Sequence, residues 1–130
     1  MITYRNDITP DAQIIADLYR AASLIRPVDD VDRVRRMYEG SPLVLTAWDS
    51  ERLIGILRGW LDGAFDGYVC DLAVHPDFQK QGVGARLLES TRQGHPEVQW
   101  VLRASKIAAQ YYEHLGWKKI ENGWFWTRER

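Results

Sequence analysis

A buried strand that leads through a glycine-bearing turn into a helix constrains this sequence more than any other feature. Residues 68–74 are apolar on both faces except at Asp71, as expected of a central strand. Pro76 ends the strand, and residues 79–84 form a turn that contains Gly82 and Gly84. The helix that follows places four residues inward, Val83, Leu87, Leu88 and Thr91. The pattern predicts a sheet whose central strand delivers a turn to one end of a helix.

The turn has the chemistry of a phosphate-binding site. Backbone amides in the first turn of a helix lack partners inside the helix, and the helix dipole adds partial positive charge there. Gly82 and Gly84 let phosphate oxygens approach the backbone closely. The turn lacks the Gly-Lys-Ser/Thr of the NTPase loop and the third glycine of the dinucleotide fingerprint. We therefore predict a pyrophosphate site of another kind, with a purely structural tight turn as the alternative.

Composition limits the classes of protein to consider. The 130 residues carry 17 Lys and Arg against 18 Asp and Glu, so the net charge of −1 gives no field for holding nucleic acid. One cysteine cannot form an internal disulfide. The first residues lack the apolar stretch of a signal peptide, and no apolar run approaches a membrane span. We predict one globular domain over residues 1–130, in the cytoplasm, with neither nucleic acid nor a membrane as partner.

The remaining elements place helices on both faces of a sheet. A strand at residues 2–5 precedes two helices, and residues 43–48 and 53–57 read as a hairpin. After the central strand and its helix come another strand, another helix, and a final hairpin of residues 117–120 and 124–127 around Asn122-Gly123. The order is strand, two helices, three strands, helix, strand, helix, two strands, which predicts a mixed α/β sheet.

Three motifs in this order resemble the GNAT superfamily of N-acetyltransferases. Gln79-x-x-Gly82-x-Gly84 resembles its acetyl-CoA signature, Gln/Arg-x-x-Gly-x-Gly/Ala, and residues 71–76 look like the strand that leads into it. Residues 108–117 are similar to the second cofactor motif, in which a Tyr stands four residues before a Gly-aromatic pair. The resemblance covers nearly the whole chain. It implies a mixed, mostly antiparallel sheet of about six to seven strands flanked by about four helices.

The resemblance also implies a reaction, in which acetyl-CoA is the co-substrate, a primary amine of a small molecule or peptide is the acceptor, and no metal takes part. Backbone groups of Leu72 and Val74 would pair with the pantetheine arm as an added strand, next to a bulge that separates this strand from its neighbour. Ser105 stands where many relatives have Asn; it can cap the helix but reaches less far. The residues assigned to the cofactor are Leu72, Ala73, Val74, Gln79, Lys80, Gln81, Gly82, Val83, Gly84, Ala85, Ser105 and Ala108.

Helix geometry distinguishes the two adjacent tyrosines. Ser105, Ala108 and Tyr112 lie on one stripe of the last helix, and the small alanine leaves room for a ligand. A neighbouring, more apolar stripe is predicted to face the core; it consists of Ile107, Tyr111 and Leu115. We therefore predict that Tyr112 is the functional tyrosine and that Tyr111 packs. The resemblance implies that Tyr112 stands near the sulfur of coenzyme A, where it would protonate the departing thiolate. The alternative for Tyr112 is a core aromatic with a satisfied hydroxyl.

Asp71 is a carboxylate within an apolar strand, and an unpaired buried charge would cost several kcal/mol. Either it is bonded to nearby donors, or it faces the cleft and helps to deprotonate the amine, which requires a raised pKa. Many relatives have a Glu one position earlier, where this chain has Cys70. Cys70 itself is predicted to be a buried thiol, since no Cys-His signature surrounds it.

Two other functions stay open at this point. One is a noncatalytic acyl-CoA-binding sensor, with the same turn but no turnover. The other is a protein-interaction module in which the glycine turn is structural. Four aromatic residues near the C-terminus leave some apolar surface for a homodimer contact or a pocket wall, namely Trp117, Trp124, Phe125 and Trp126.

Overall fold

The computed structural model describes all 130 residues and contains one five-stranded sheet. Its strands are β1 (Ile2–Arg5), β2 (Leu43–Asp49), β3 (Arg52–Leu61), β4 (Asp66–Val74) and β5 (Gln99–Leu102). They lie side by side in chain order; β1 to β4 are antiparallel neighbours, and β5 runs parallel to β4. The helices are α1 (Ala12–Ala21), α2 (Val31–Glu39), α3 (Val83–Gly94) and α4 (Lys106–His114). This confirms the mixed, mostly antiparallel architecture with four helices.

Two apolar cores lie on opposite faces of the sheet. The side chains of Ile15 and Tyr19 from α1 and Val34 from α2 pack against β3 on one face. On the other face, Leu87 and Leu88 of α3 cover a second core that includes β2, β3 and β4. Each of these helices buries one stripe because apolar residues recur at helical spacing. None of the helices is long and apolar enough to cross a bilayer.

Strand β4 has a bulge on one side and loses its neighbouring strand on the other. Arg58 of β3 pairs with Asp71 and Gly59 pairs with Val69, so Cys70 is an extra residue that forms a β-bulge. On its other side β4 pairs with β5 only as far as Val69 opposite Leu102. From Cys70 to Val74 the β5 side of β4 therefore has no neighbouring strand.

The predicted C-terminal hairpin is wrong: residues 117–130 form no strand, so the sheet has five strands rather than six or seven. A local turn signal is not sufficient, because an isolated two-stranded hairpin is marginal in water without a sheet or core to dock on. Side-chain contacts hold this segment instead. The Trp117 ring lies 6.1 Å from that of Tyr112, and the Arg103 guanidinium lies 4.5 Å from the Phe125 ring centre.

Candidate active site

A row of free backbone amides occupies the turn between β4 and α3. None of the amides from Lys80 to Ala85 donates a hydrogen bond to another group of the chain; the first amide of α3 to find a partner is that of Arg86, which donates to the Gly82 carbonyl at 3.0 Å. These donors gather where the helix dipole is positive. The turn predicted from the glycine pattern is thus a concentration of unpaired donors suited to an anion.

Backbone conformation shapes this turn. Gly82 has φ of +81° and is the residue before α3, and Lys80 has φ of +64°. The left-handed conformation is costly for a residue with a side chain, and such strain is often found at ligand sites. The Gln79 side-chain amide donates to the Val74 carbonyl at 3.0 Å and ties the turn to the end of β4.

Gly84 brings α3 close to both β4 and α4. A Cβ atom built on Gly84 would lie 2.9 Å from the Tyr111 hydroxyl and 3.7 Å from side-chain atoms of Leu72 and Val74. A larger residue would therefore fill the space between the free amides and the strand. The structure brings together Leu72, Val74 and the turn, as the resemblance implies.

A cleft of about 300 Å³ opens next to the bulge. The connection between α1 and α2 forms one wall, and β4 with the end of β5 and the start of α4 forms the others. Five of the residues predicted for the site line it together, namely Asp71, Leu72, Ser105, Ala108 and Tyr112. The Ser105 side chain caps α4 by accepting from the Ala108 amide at 3.3 Å, so the predicted cap is confirmed.

The two tyrosines of α4 have different surroundings. Tyr112 is half-buried, lines the cleft and packs edge-on against Tyr111 and Trp117. Burial, with a smaller contribution from Tyr111, raises the pKa of the Tyr112 hydroxyl to about 12. Its phenol is therefore protonated throughout the neutral range and can donate a proton.

The predicted apolar stripe of α4 is wrong for two of its three members. Ile107 is almost fully exposed, and Tyr111 is also exposed, with its hydroxyl beside Gly84. The face of α4 that packs on the second core contains Tyr112 and Leu115. The buried face of α4 therefore differs from the predicted one. Residue spacing shows which side chains share a face of a helix, but the packing of α4 against the sheet decides which face is buried.

Asp71 is the centre of a buried hydrogen-bond cluster. Its Oδ1 accepts from Arg26 Nε at 2.6 Å, and its Oδ2 accepts from Arg58 Nε and Tyr19 Oη, both at 2.7 Å. The hydroxyls of Tyr19 and Tyr38 also bond to each other. Burial alone would raise the pKa of the Asp71 carboxyl, but the bonds and charges of Arg58, with Arg26 and Tyr19, outweigh it and lower the pKa.

This cluster gives Asp71 the first of its two predicted roles, that of a carboxylate bonded to nearby donors. The second role, a general base, needs a pKa raised toward the working pH, and the cluster moves the pKa in the opposite direction. Both carboxylate oxygens are also taken by donors. The observed bonds therefore fit the first role, in which Asp71 holds the cleft walls together.

Sequence reasoning missed the partners of Asp71. Tyr19 lies on α1, Arg26 in the connection between α1 and α2, and Arg58 on β3. Tyr38 of α2 joins the cluster through its bond to Tyr19. The signal that could have found them is the burial cost of an unpaired carboxylate, which requires cations nearby. Cys70, whose thiol pKa is raised by burial, is half-buried beside the cleft rather than in the core.

The family is shown by comparison with known proteins. Residues 40–119 match the model of the GNAT acetyltransferase domain. These residues include β2 to α4 with the free-amide turn, and they form every wall of the cleft except the connection between α1 and α2. The chain therefore belongs to the GNAT acetyltransferase family.

Individual relatives agree with this assignment. The chain is 33% identical over 69 residues to an uncharacterized N-acetyltransferase, ycf52, of Gracilaria tenuistipitata var. liui, a match that covers 49% of this chain and 37% of that protein. The aligned stretch thus spans well under half of that relative.

Solved structures share the fold over almost the full length. A protein of unknown function from meticillin-resistant Staphylococcus aureus, described as a probable acetyltransferase, has a TM-score of 0.83 at 22% identity, with 98% of this chain and 99% of that chain covered. A GNAT-family acetyltransferase from Streptococcus pneumoniae TIGR4 has a TM-score of 0.79 at 22% identity, with both chains fully covered. At this level of identity these likenesses show the fold alone.

Proposed function

We propose that residues 1–130 form one acetyltransferase domain that moves the acetyl group of acetyl-CoA directly to a primary amine of a small molecule or peptide. One observation carries the proposal. The turn after β4 contains six unpaired amides, and the unpaired edge of β4 runs from this turn to the cleft that Tyr112 lines. Acetyl-CoA has a diphosphate near one end and a reactive thioester at the other. The amides suit the diphosphate, the cleft suits the thioester, and the edge of β4 between them forms a groove for the arm that joins the two.

The residues present suit acetyl-CoA. The amides from Lys80 to Ala85 would hold its diphosphate, and Gly82 and Gly84 leave the backbone accessible. The free edge of β4 at Leu72 and Val74 would take the amide-containing pantetheine arm as an added strand. Gln79, which bonds to the Val74 carbonyl, would hold the turn in register with this edge. When bound, the cofactor supplies an activated thioester.

In this reaction the chain supplies a hydrogen-bond donor for the developing negative charge and a proton for the leaving group. The neutral amine forms the new N–C bond as the C–S bond breaks, with no covalent enzyme intermediate. A backbone amide of the segment from Leu72 to Val74 donates to the carbonyl oxygen as that oxygen gains negative charge. Tyr112 gives its proton to the leaving thiolate, and the resulting phenolate regains a proton from solvent water. The amine loses its proton to solvent water, since Asp71 has a lowered pKa and both its oxygens are occupied.

A thermal-shift series with acetyl-CoA, free CoA and ATP tests binding first. A ligand at 1,000 times its Kd stabilises a folded protein by about 4 kcal/mol, so a micromolar site gives a clear shift at millimolar ligand. We expect the two CoA compounds, but not ATP, to stabilise the protein. No shift with acetyl-CoA would leave the protein-interaction alternative.

Release of free CoA across an amine panel tests transfer. We expect amine-dependent release that exceeds the hydrolysis of acetyl-CoA without amine. Binding without release for any amine would instead favour an acyl-CoA-binding sensor. Cytoplasmic location and a homodimer stay predictions, as do the expected absences of nucleic-acid and membrane partners.

A further inference from the structure

The cleft walls carry more positive than negative charge. The charged residues that line the cleft are Arg26, Arg103 and Asp71, and Asp71 is the single carboxylate among them. Both of its oxygens are engaged, by Arg26 on one side and by Arg58 and Tyr19 on the other. One negative charge therefore faces two guanidinium groups at the cleft and a third behind it.

Arg103 has no acidic partner. It is exposed, forms neither an ion pair nor a side-chain hydrogen bond, and only stacks its guanidinium 4.5 Å from the Phe125 ring centre. Arg26 is 30% exposed and uses three N–H groups, donating to Asp71, to the Ile25 carbonyl and to the Cys70 carbonyl. A guanidinium has five such groups, so donors remain on both arginines.

The proposed diphosphate site does not account for these charges. Leu102, next to Arg103, pairs with Val69, whereas the free amides begin beyond Val74. Five residues of strand separate these two levels, which is about 16 Å at the rise of a β-strand. The positive charge therefore lies at the cleft, far from the proposed diphosphate site and next to the place where the thioester meets the acceptor amine.

We infer that the acceptor is a small amine that also carries a carboxylate, as an amino acid does, and that Arg103 binds this carboxylate with Arg26 completing the site. The inference rests on the proposed function and names the substrate class of that site. A guanidinium binds a carboxylate through charge-assisted, often paired hydrogen bonds. Apolar lining residues, among them Leu24 and Leu102, suit an apolar body on the acceptor.

The same charge distribution has a second effect on the acceptor. A nearby positive charge disfavours the ammonium form of an amine, so a net positive wall increases the fraction of neutral nucleophile. This supports a reaction in which Asp71 removes no proton. A carboxylate on the acceptor offsets the repulsion that a simple cationic amine would meet on entering the cleft.

Matched acceptor sets test the inference. The sets are L-leucine, L-leucinamide and isopentylamine, and L-phenylalanine, L-phenylalaninamide and phenethylamine. Acetyl transfer is measured as kcat/KM per neutral amine, which removes the effect of different amine pKa values. We expect the amino acids to exceed both partners by about tenfold or more, the range of a hydrogen bond to a charged group. Equal or better use of the amides and simple amines would overturn the inference while leaving the acetyltransferase proposal in place.

Substitutions test whether Arg103 causes the preference for acceptors with a carboxylate. In Arg103→Gln the preference for the acids is expected to fall at least tenfold. Acetyl-CoA affinity should be kept, since Arg103 is exposed and its one contact given above is with the exposed Phe125 ring. Arg92→Gln, on α3 with Glu89 as its partner, is the control and should keep the preference. An unchanged preference in Arg103→Gln would overturn the assignment.

Direct binding separates this inference from the proposed chemistry. Calorimetric titration of the same acids and amides, with and without free CoA, needs no turnover. Tighter binding of the acids that is lost in Arg103→Gln supports the inference even where no acetyl transfer is found. Binding of acids no tighter than that of amides contradicts it whether or not the protein transfers acetyl groups.

Discussion

Arg26 Nε donates to Asp71 Oδ1 across 2.6 Å and so ties the connection between α1 and α2 to the bulged part of β4. The same guanidinium donates to the Cys70 carbonyl at 3.1 Å. These contacts join two walls of one cleft, since Arg26, Cys70 and Asp71 all line it. The separation of these two cleft walls thus depends on a charged contact inside the protein.

Asp71→Asn is expected to destabilise the protein by about 3–5 kcal/mol, because it leaves the Arg26 and Arg58 guanidiniums without their buried counter-ion. Denaturant unfolding measures this change. Asp29→Asn is the control: Asp29 is an exposed partner of Arg20, and an exposed pair contributes about 1 kcal/mol or less. A loss for Asp71→Asn no larger than that of the control would contradict a structural role for the cluster.

Stability should also depend on acid pH through Asp71. Its pKa in the folded protein lies below the ordinary value, so the unfolded chain binds the proton more readily. The contribution is complete above about pH 4, the ordinary pKa of the group, and is lost as the pH falls through the lower folded pKa. Unfolding free energies measured over this range should fall more steeply in the wild type than in Asp71→Asn. Parallel curves would show that other carboxylates cause the acid sensitivity.

The central part of the fold was accessible from sequence because its signals are local. The apolar residues 68–74 with the turn at Gly82 and Gly84 predict a strand, a tight turn and a helix, and the structure contains all three. The free amides follow from the same local rule, since a helix start always leaves donors unpaired.

Long-range contacts explain what sequence reasoning missed. The donors to Asp71 lie between 13 and 52 residues away along the chain, so no spacing rule connects them. Tertiary packing also sets the orientation of α4, which leaves Ile107 and Tyr111 exposed. The same is true of the course of residues 117–130. In each case the local pattern permits several arrangements, and tertiary packing selects one.

Gly82→Ala should weaken acetyl-CoA binding, and Gly63→Ala provides a control with the same backbone strain. Both glycines have φ of +81°, and a Cβ at either would have no atom within 4 Å. Each alanine is therefore expected to cost about 1 kcal/mol of folding stability through backbone strain alone. Only Gly82 belongs to the row of free amides, so only Gly82→Ala should reduce the affinity for acetyl-CoA measured by calorimetry. Equal affinities in the two variants would argue against diphosphate binding at this turn.

Tyr112→Phe is expected to lower kcat about tenfold, a modest effect for an acid catalyst because a phenol is a weaker acid than the thiol whose thiolate it protonates. Acetyl-CoA affinity should be nearly unchanged, since the substitution removes one hydroxyl from a side chain that stays packed against Trp117. With a pKa of about 12 the Tyr112 phenol keeps its proton through the neutral range. The variant should therefore have a lower kcat at every neutral pH, with no shift in the pH at which kcat rises or falls. Tyr68→Phe, on β4 but not lining the cleft, is the control for loss of a hydroxyl. An unchanged kcat in Tyr112→Phe at saturating substrates would remove Tyr112 from the reaction and leave solvent water as the proton donor to the thiolate.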